Sequence, residues 1–214
     1  MVLGYWKIRG LAQPLRYLLE YCGFDYEEVR YELNKEGREK WNEEDKKNLG
    51  LSFPNLPYLI DGEIKITQSK AILRHIAEKK GGDMVGDDLQ TKTTLSMLVE
   101  VTVDFNNSIV RLCYGKNFEE RLPEWVKEQQ IPFHQQFSEF LGDKAWAIGH
   151  ITFVDFFIYE MLDQSHLLNP NGFEHFPSLT SYIKRFKEIP AIANYRSSPR
   201  FIDRPINGPS ASFK

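Results

Sequence analysis

The spacing of apolar positions changes character partway along the chain. In the first part, short strand-like runs alternate with helix-like ones. Residues 2–8 read as a strand, 14–22 as a helix with proline in its first turn, and 26–32 as a second strand. Residues 38–48 are charged and irregular, with Trp41 as the only large apolar side chain. Two short apolar runs, 58–60 and 64–66, flank Asp61-Gly62, a hairpin signal. Residues 69–79 close the unit as a helix with Ile72, Leu73 and Ile76 on its inner face. The predicted order is βαβ followed by ββα.

Gly81-Gly82-Asp83 and Gly86-Asp87-Asp88 then interrupt the periodicity. Beyond them the pattern is helical, with long periodic stretches at 89–114 and 122–141. Thr152 is placed as an N-cap, with Asp155 at the capping-box position and Ile151 and Phe156 positioned as a hydrophobic staple. The helix that follows carries Phe153, Phe156, Phe157, Met161 and Leu162, apolar nearly all round, so it belongs at the centre of a core. Pro177 and Pro190 punctuate later helices. The division expected is a first domain over 1–81, a linker over 82–88 and an all-helical domain over 89–214.

Bulk properties narrow the function. The 214 residues suffice for two small domains with ample core. A net charge of −3, with lysine and arginine scattered, gives no footprint for nucleic acid. No apolar run approaches the roughly 20 residues of a membrane helix, and the N-terminus has no secretory pattern. Cys22 and Cys113 lie far apart and form neither a CxxC nor a metal spacing. The expectation is a reduced, cytoplasmic protein. The five histidines form no HExxH or Cys/His cluster, and there is no Walker loop or GxGxxG, so neither a metal nor a permanently bound cofactor is expected.

The densest chemical signal runs from Phe53 to Ala77. Leu56-Pro57 just ahead of a strand forces Leu56 into an extended conformation and permits a cis peptide. A kink there leaves the Leu56 amide and carbonyl free at a sheet edge to pair with an extended peptide. A few residues on, Ser69 stands where a helix N-cap belongs, with Gln68 before it. A helix N-terminus presents free amides and a positive dipole end to a carboxylate. Together these features suit a small acidic peptide.

Gly4-Tyr5-Trp6-Lys7-Ile8-Arg9-Gly10, Phe53-Pro54-Asn55-Leu56-Pro57-Tyr58 and Thr67-Gln68-Ser69, in that order and spacing, resemble the mu-class glutathione transferases. The similarity runs the length of the chain to Arg204-Pro205. It implies a thioredoxin-like α/β N-terminal domain, a larger all-α C-terminal domain and a homodimer. The implied reaction conjugates glutathione, a co-substrate, to small hydrophobic electrophiles. The rivals are a non-catalytic ligand-binding or structural member of the same fold and a glutathione-dependent isomerase or peroxidase.

A thiol pKa of about 8.5 must fall for a thiolate to form at neutral pH. A hydrogen bond donated to the sulfur anion lowers it. The resemblance implies Tyr5 as that donor, with Trp6 beside it. It assigns the γ-glutamyl carboxylate to Gln68 and Ser69 and the cysteinyl backbone to Leu56, with Asn55 in reach. Trp41 and a following lysine would take the glycyl carboxylate. Trp41 stands one residue further from Leu49-Gly50-Leu51 than the mu pattern expects, so Lys46 and Lys47 both qualify, with Lys46 preferred. Asp104 would reach the partner subunit's peptide across a dimer interface to which Phe53 and Arg74 contribute, Phe53 as an inserted aromatic. Leu11, Asn107, Tyr114 and Asn207 would line the electrophile pocket. Asn207 stands where an aromatic or other lid residue is common in the family, so electrophile preference does not carry over.

Overall fold

The computed structural model describes all 214 residues. Four strands form one mixed sheet: β1 (Val2–Trp6), β2 (Glu27–Tyr31), β3 (Tyr58–Asp61) and β4 (Ile64–Thr67), in the order β2-β1-β3-β4. β2 runs parallel to β1, as a crossover through α1 (Gln13–Cys22) requires. β3 and β4 are antiparallel to their neighbours and joined at Gly62-Glu63. The turn lies one residue later than expected. Gly62, at φ 61°, takes the first central position of a two-residue hairpin loop, which needs a left-handed residue there. Helix α4 (Ser69–Lys80) completes the βαβ–ββα order read from the pattern. Leu56–Pro57 is cis, as is Arg204–Pro205.

Residues 38–48 are not irregular. A helical segment runs through α2 (Lys35–Glu39), a π-helical turn (Lys40–Asp45) and α3 (Lys46–Asn48). Its N-cap is Asn34, whose side chain accepts from the Gly37 amide at 2.9 Å. A π turn holds one residue more than an α turn. Ser69 is also displaced by one from its expected role: it opens α4, and Gln68 is the cap, at φ 72°.

The helical half is built on α5 (Leu89–Cys113), α6 (Phe118–Trp125), α7 (Ile131–Leu141), α8 (Phe153–Leu168), α9 (Pro177–Lys187) and α10 (Pro190–Arg196). The stretch expected over 122–141 begins earlier, at Phe118, and is α6 and α7 joined by a π segment, Val126–Gln130. Pro132, in the first turn of α7, has no amide and clashes with the carbonyl four residues back, and the wider π turn accommodates it. Helix α8 is buried on every side, including Asp155, Glu160, Asp163, Gln164 and Ser165. Asp155 fixes its start by accepting from the Thr152 amide (2.8 Å), the Thr152 hydroxyl (2.9 Å), the Ala147 amide (3.0 Å) and the Tyr182 hydroxyl (2.8 Å). The main hydrophobic core is shared: Leu3, Leu15, Leu18, Ile72 and Ile76 from the sheet half pack with Phe156, Phe157 and Leu162 of α8. A second, smaller core surrounds Tyr5, Tyr31, Trp41, Leu56 and Tyr58.

His134 on α7 is fully buried, with Nδ1 2.9 Å from the Gly172 carbonyl and Nε2 3.1 Å from the Ser165 hydroxyl. Burial pushes its pKa down to about 4, against the pull of the Gly172 carbonyl. An unfolded histidine takes up its proton near pH 6.5. Between those two values the unfolded chain therefore binds more protons, and stability falls as pH falls across the window. The loss expected from this group by pH 4 is on the order of 3 kcal/mol. Urea unfolding at a series of pH values should show the slope in the parent and a flatter one in His134→Gln. Equal slopes would remove His134 as its source.

Candidate active site

β1 delivers Tyr5 and Trp6 to one end of the sheet, where the chain turns through Gly10 into α1. The Tyr5 hydroxyl accepts a hydrogen bond from the Leu11 amide at 3.1 Å. Gly10 makes this approach possible: its φ is 42°, and a Cβ there would lie 2.7 Å from the Tyr5 oxygen. Burial raises the pKa of Tyr5, opposed by the Leu11 amide and by the charge of Arg16. The phenol therefore keeps its proton at neutral pH and remains a donor.

Tyr5 opens into a cleft of about 400 Å³ whose walls include Trp6, Arg38, Asn42, Tyr114 and Gly208. The Tyr114 hydroxyl closes one side by accepting from the Gly208 amide at 2.7 Å. Trp41 lies in the small core beside it, stacked on Tyr58 at 6.0 Å and set edge-on to Tyr31 at 5.5 Å. Tyr58 can take this place because Gly4 lies beneath its ring; a Cβ on Gly4 would sit 2.1 Å from it. The Tyr31 hydroxyl donates to Asp45 at 2.6 Å, which pins the π turn to the sheet.

On the other side of the Gly10–Leu11 turn, Leu11 and Ser69 border a narrow crevice with Leu73, Phe157 and Met161. The start of α4 and the Tyr5 loop thus meet at the boundary of the two halves. No group of three or more His, Cys, Asp or Glu side chains is arranged to hold a metal. Burial pushes the Cys22 and Cys113 thiols up to about 11, so neither is a nucleophile at neutral pH.

The Glutathione S-transferase N-terminal domain model matches residues 1–78, and the Glutathione S-transferase C-terminal domain model matches 103–199. The chain is 43% identical to human Glutathione S-transferase Mu 4 over 210 residues, covering 96% of this chain and 94% of that one. It is 44% identical to the class-mu 26 kDa isozyme 51 of Fasciola hepatica over 212 residues, covering 99% and 94%. The chain belongs to the glutathione S-transferase family. Among solved structures, the glutathione S-transferase Blo t 8 superposes with a TM-score of 0.86 at 31% identity, over 99% of this chain and 98% of that one. The fold is accordingly that of these transferases, a thioredoxin-like domain followed by a helical one, and the protein is a glutathione transferase with mu-class relatives.

In this transferase the expected site residues fall into three groups. Tyr5, Trp6 and Tyr114 share one cleft, with Trp41 in the core beside it. Leu11 and Ser69 meet at the interdomain crevice, with Gln68 exposed next to them. The third group lies elsewhere. Asp104 and Asn107 are exposed on α5, and Asp104 borders a separate groove with Val101 and Pro132. Asn207 is buried with its amide donating to the Phe213 carbonyl at 2.9 Å. Phe53 is 79% exposed, and Arg74 is held between Ser96, at 3.2 Å, and the Phe153 ring.

The Leu56 amide is not free, in contrast to the expectation from the kink. It donates to the Asn55 side-chain oxygen at 2.9 Å. Lys46 is exposed and makes no ion pair, whereas Lys47 is paired with Glu43 four residues back. Sequence reasoning missed Arg38, Asn42 and Gly208. Arg38 stands three residues before Trp41, one helical turn away, and a helical reading of that segment would have brought it to notice.

Proposed function

We propose that Tyr5 activates glutathione by donating its hydroxyl hydrogen to the thiolate, which then adds to apolar electrophiles bound in the cleft between Tyr5 and Tyr114. The observation that carries this reading is the Leu11-to-Tyr5 hydrogen bond. With one lone pair of the phenol oxygen occupied by an amide, its own hydrogen is left for the cleft. A hydrogen bond to a charged group is worth roughly 1.5–3 kcal/mol, equivalent to about 1–2 pKa units. Tyr114 has a matching role. Its oxygen accepts from Gly208, so its hydrogen remains available to the charge that develops on the electrophile.

The tripeptide is placed by groups around this point. Gln68 and Ser69, at the start of α4, take the γ-glutamyl carboxylate. Leu56 pairs with the cysteinyl backbone once the Asn55 carboxamide turns from the Leu56 amide toward the peptide. Trp41 and Lys46 take the glycyl carboxylate, with Arg38 as a further cation on the cleft wall. The freedom of Lys46 and the engagement of Lys47 support this choice. Glutathione is a co-substrate, and no cofactor is retained.

The working unit is a homodimer in the cytoplasm. Met97 and Val101 are 50% and 41% exposed on α5 and share a face with Asp104 at helical spacing. Arg74 bonds Ser96 beside them. Exposed apolar residues in such a stripe mark an association surface. Phe53 enters the partner there, and Asp104 completes the partner's glutathione site.

Tyr5→Phe should raise the pKa of bound glutathione by about 1–2 units and lower turnover at neutral pH by roughly tenfold to a hundredfold, with little change in glutathione affinity. Thiolate absorbance titrated against pH measures this, and an unchanged pKa removes Tyr5 from activation.

Lys46→Ala should weaken glutathione binding by about 1–3 kcal/mol, and Lys47→Ala should leave it nearly unchanged. Calorimetric titration compares them; the reverse order would move the carboxylate partner by one residue.

Burying a phenylalanine is worth roughly 1.5–3 kcal/mol, and a symmetric dimer buries two. Phe53→Ser should therefore shift sedimentation toward monomer at low protein concentration and weaken glutathione binding in parallel. A monomer that binds glutathione as tightly as the parent would refute the shared site.

A further inference from the structure

Arg9 is only 1% exposed, although arginine is rarely buried unless paired. Its guanidinium makes a two-pronged contact with Glu160, Nε to Oε1 at 3.1 Å and Nη2 to Oε2 at 2.8 Å, and a third contact to Asp163 at 2.7 Å. Both carboxylates belong to α8 in the other domain. They are themselves supported, Glu160 by the Gln164 amide at 2.9 Å and Asp163 by Lys187 at 2.9 Å. A buried ion cluster of this kind is often no more stabilising than apolar side chains of the same volume. Its presence calls for something that apolar packing would not supply, and directional fixing of a backbone segment is one such thing.

The segment it fixes is the one that reaches Tyr5. Arg9 lies two residues before Leu11, whose amide donates to the Tyr5 hydroxyl. The Arg9 amide donates to the Pro205 carbonyl and the Gly10 amide to the Ile206 carbonyl, each at 3.0 Å. The Arg9 carbonyl accepts from the Gln13 amide at 3.1 Å and from Arg16 at 3.2 Å. The turn is thus held by α1, by the C-terminal tail and, through one side chain, by α8. With a Cβ at Gly10 falling 2.7 Å from the Tyr5 oxygen, there is no slack between the turn and the phenol.

We propose that Arg9 is a positioning residue for glutathione activation: its fork on Glu160 and Asp163 holds the Gly10–Leu11 turn so that the Leu11 amide engages the Tyr5 oxygen. This rests on the reading of Tyr5 as the thiolate's donor. An amide on the phenol oxygen makes the phenol the stronger donor, because it stabilises negative charge on that oxygen. Loosening the turn weakens that support without removing any group that touches glutathione.

The test uses Arg9→Lys, which keeps the charge and removes the planar fork, and Glu160→Gln, which keeps the shape and removes the charge. Each is made in the parent and in the Tyr5→Phe background. Folding is checked by circular dichroism, and the pKa of bound glutathione is read from thiolate absorbance. His134→Gln, a buried change whose hydrogen bonds go to Gly172 and Ser165 rather than to the turn or its ion cluster, controls for general loosening. In the parent background either variant should raise the thiolate pKa by about 0.5–1 unit and lower kcat/KM at neutral pH by roughly three- to tenfold. Glutathione affinity should stay within about twofold, far less than one pKa unit corresponds to. In the Tyr5→Phe background neither should raise the pKa further, since the group they act through is gone. The proposal falls if both folded variants leave the pKa at the parental value, or if the shift persists in full without the Tyr5 hydroxyl, or if His134→Gln produces the same shift. A Tyr5→Phe protein with the parental pKa would overturn the Tyr5 reading itself, and this one with it. Glu160→Gln alone decides the matter if Arg9→Lys does not fold.

Discussion

The hydrogen bond from the Leu11 amide to the Tyr5 hydroxyl is the contact to which the local architecture answers. It joins β1 to the turn that leads into α1, with five residues between Tyr5 and Leu11. For it to form, Gly10 must lack a side chain and adopt a left-handed conformation, which costs little only for glycine. The turn must also be stationary. Backbone groups of the tail at Pro205 and Ile206 supply part of that, and α1 supplies more through Arg16, whose guanidinium donates to the Ile8 and Arg9 carbonyls at 2.9 and 3.2 Å. The tail is therefore a wall of the cleft at Gly208 and, three residues earlier, a brace for the turn that carries the donor to Tyr5. Any change that moves the tail acts on both sides of the cleft.

A second constraint sets the far wall. Gly4 in β1 leaves room for the Tyr58 ring, Tyr58 supports Trp41, and Tyr31 ties the π turn down through Asp45. Stacked and edge-on aromatic pairs at these distances favour definite orientations beyond simple burial. Trp41 is thus presented by a rigid aromatic platform, although the segment that bears it is largely charged. The π turn has a local consequence as well. By taking up one extra residue it lets Trp41 face the platform while α3 continues on toward Leu49 and Leu51.

Much of this was legible in the sequence. The strand–helix alternation, the hairpin, the proline-initiated helix and the long apolar helices follow from periodicity and from Gly and Pro chemistry, all of which act over a few residues. The motif around Leu56-Pro57 and the one around Gln68-Ser69 were visible for the same reason. Residues 38–48 carry no legible helical period because the π turn shifts the spacing just where lysine and glutamate mask the only apolar anchor, Trp41. Arg38 was lost with them. The pairing of the Leu56 amide is invisible in the sequence because its acceptor is the neighbouring Asn55 side chain, whose rotamer no pattern reports. Asn207 sits in a segment with no periodicity at all. Its burial depends on Phe213, which stacks on Phe118 from a different part of the chain.

That last arrangement bears on specificity. The tail closes on itself: Asn207 bonds the Phe213 carbonyl, the Ser212 amide donates to Cys113 at 2.8 Å, and Arg204 lies over the Phe213 ring. Ala211 is buried as a result. A tail anchored in this way presents backbone at Gly208 and a small hydroxyl at Ser210 to the cleft, while the Asn207 side chain is turned away into the tail. The apolar surface of the cleft comes mainly from Trp6, Ile8, Leu33 and the two tyrosine rings, and its polar rim from Arg38 and Asn42. Apolar burial scales with the area that walls provide. On the proposed reading, a cleft with a thin, hydrogen-bonded fourth wall would select electrophiles less by tight apolar enclosure than by how they meet the two phenol hydroxyls.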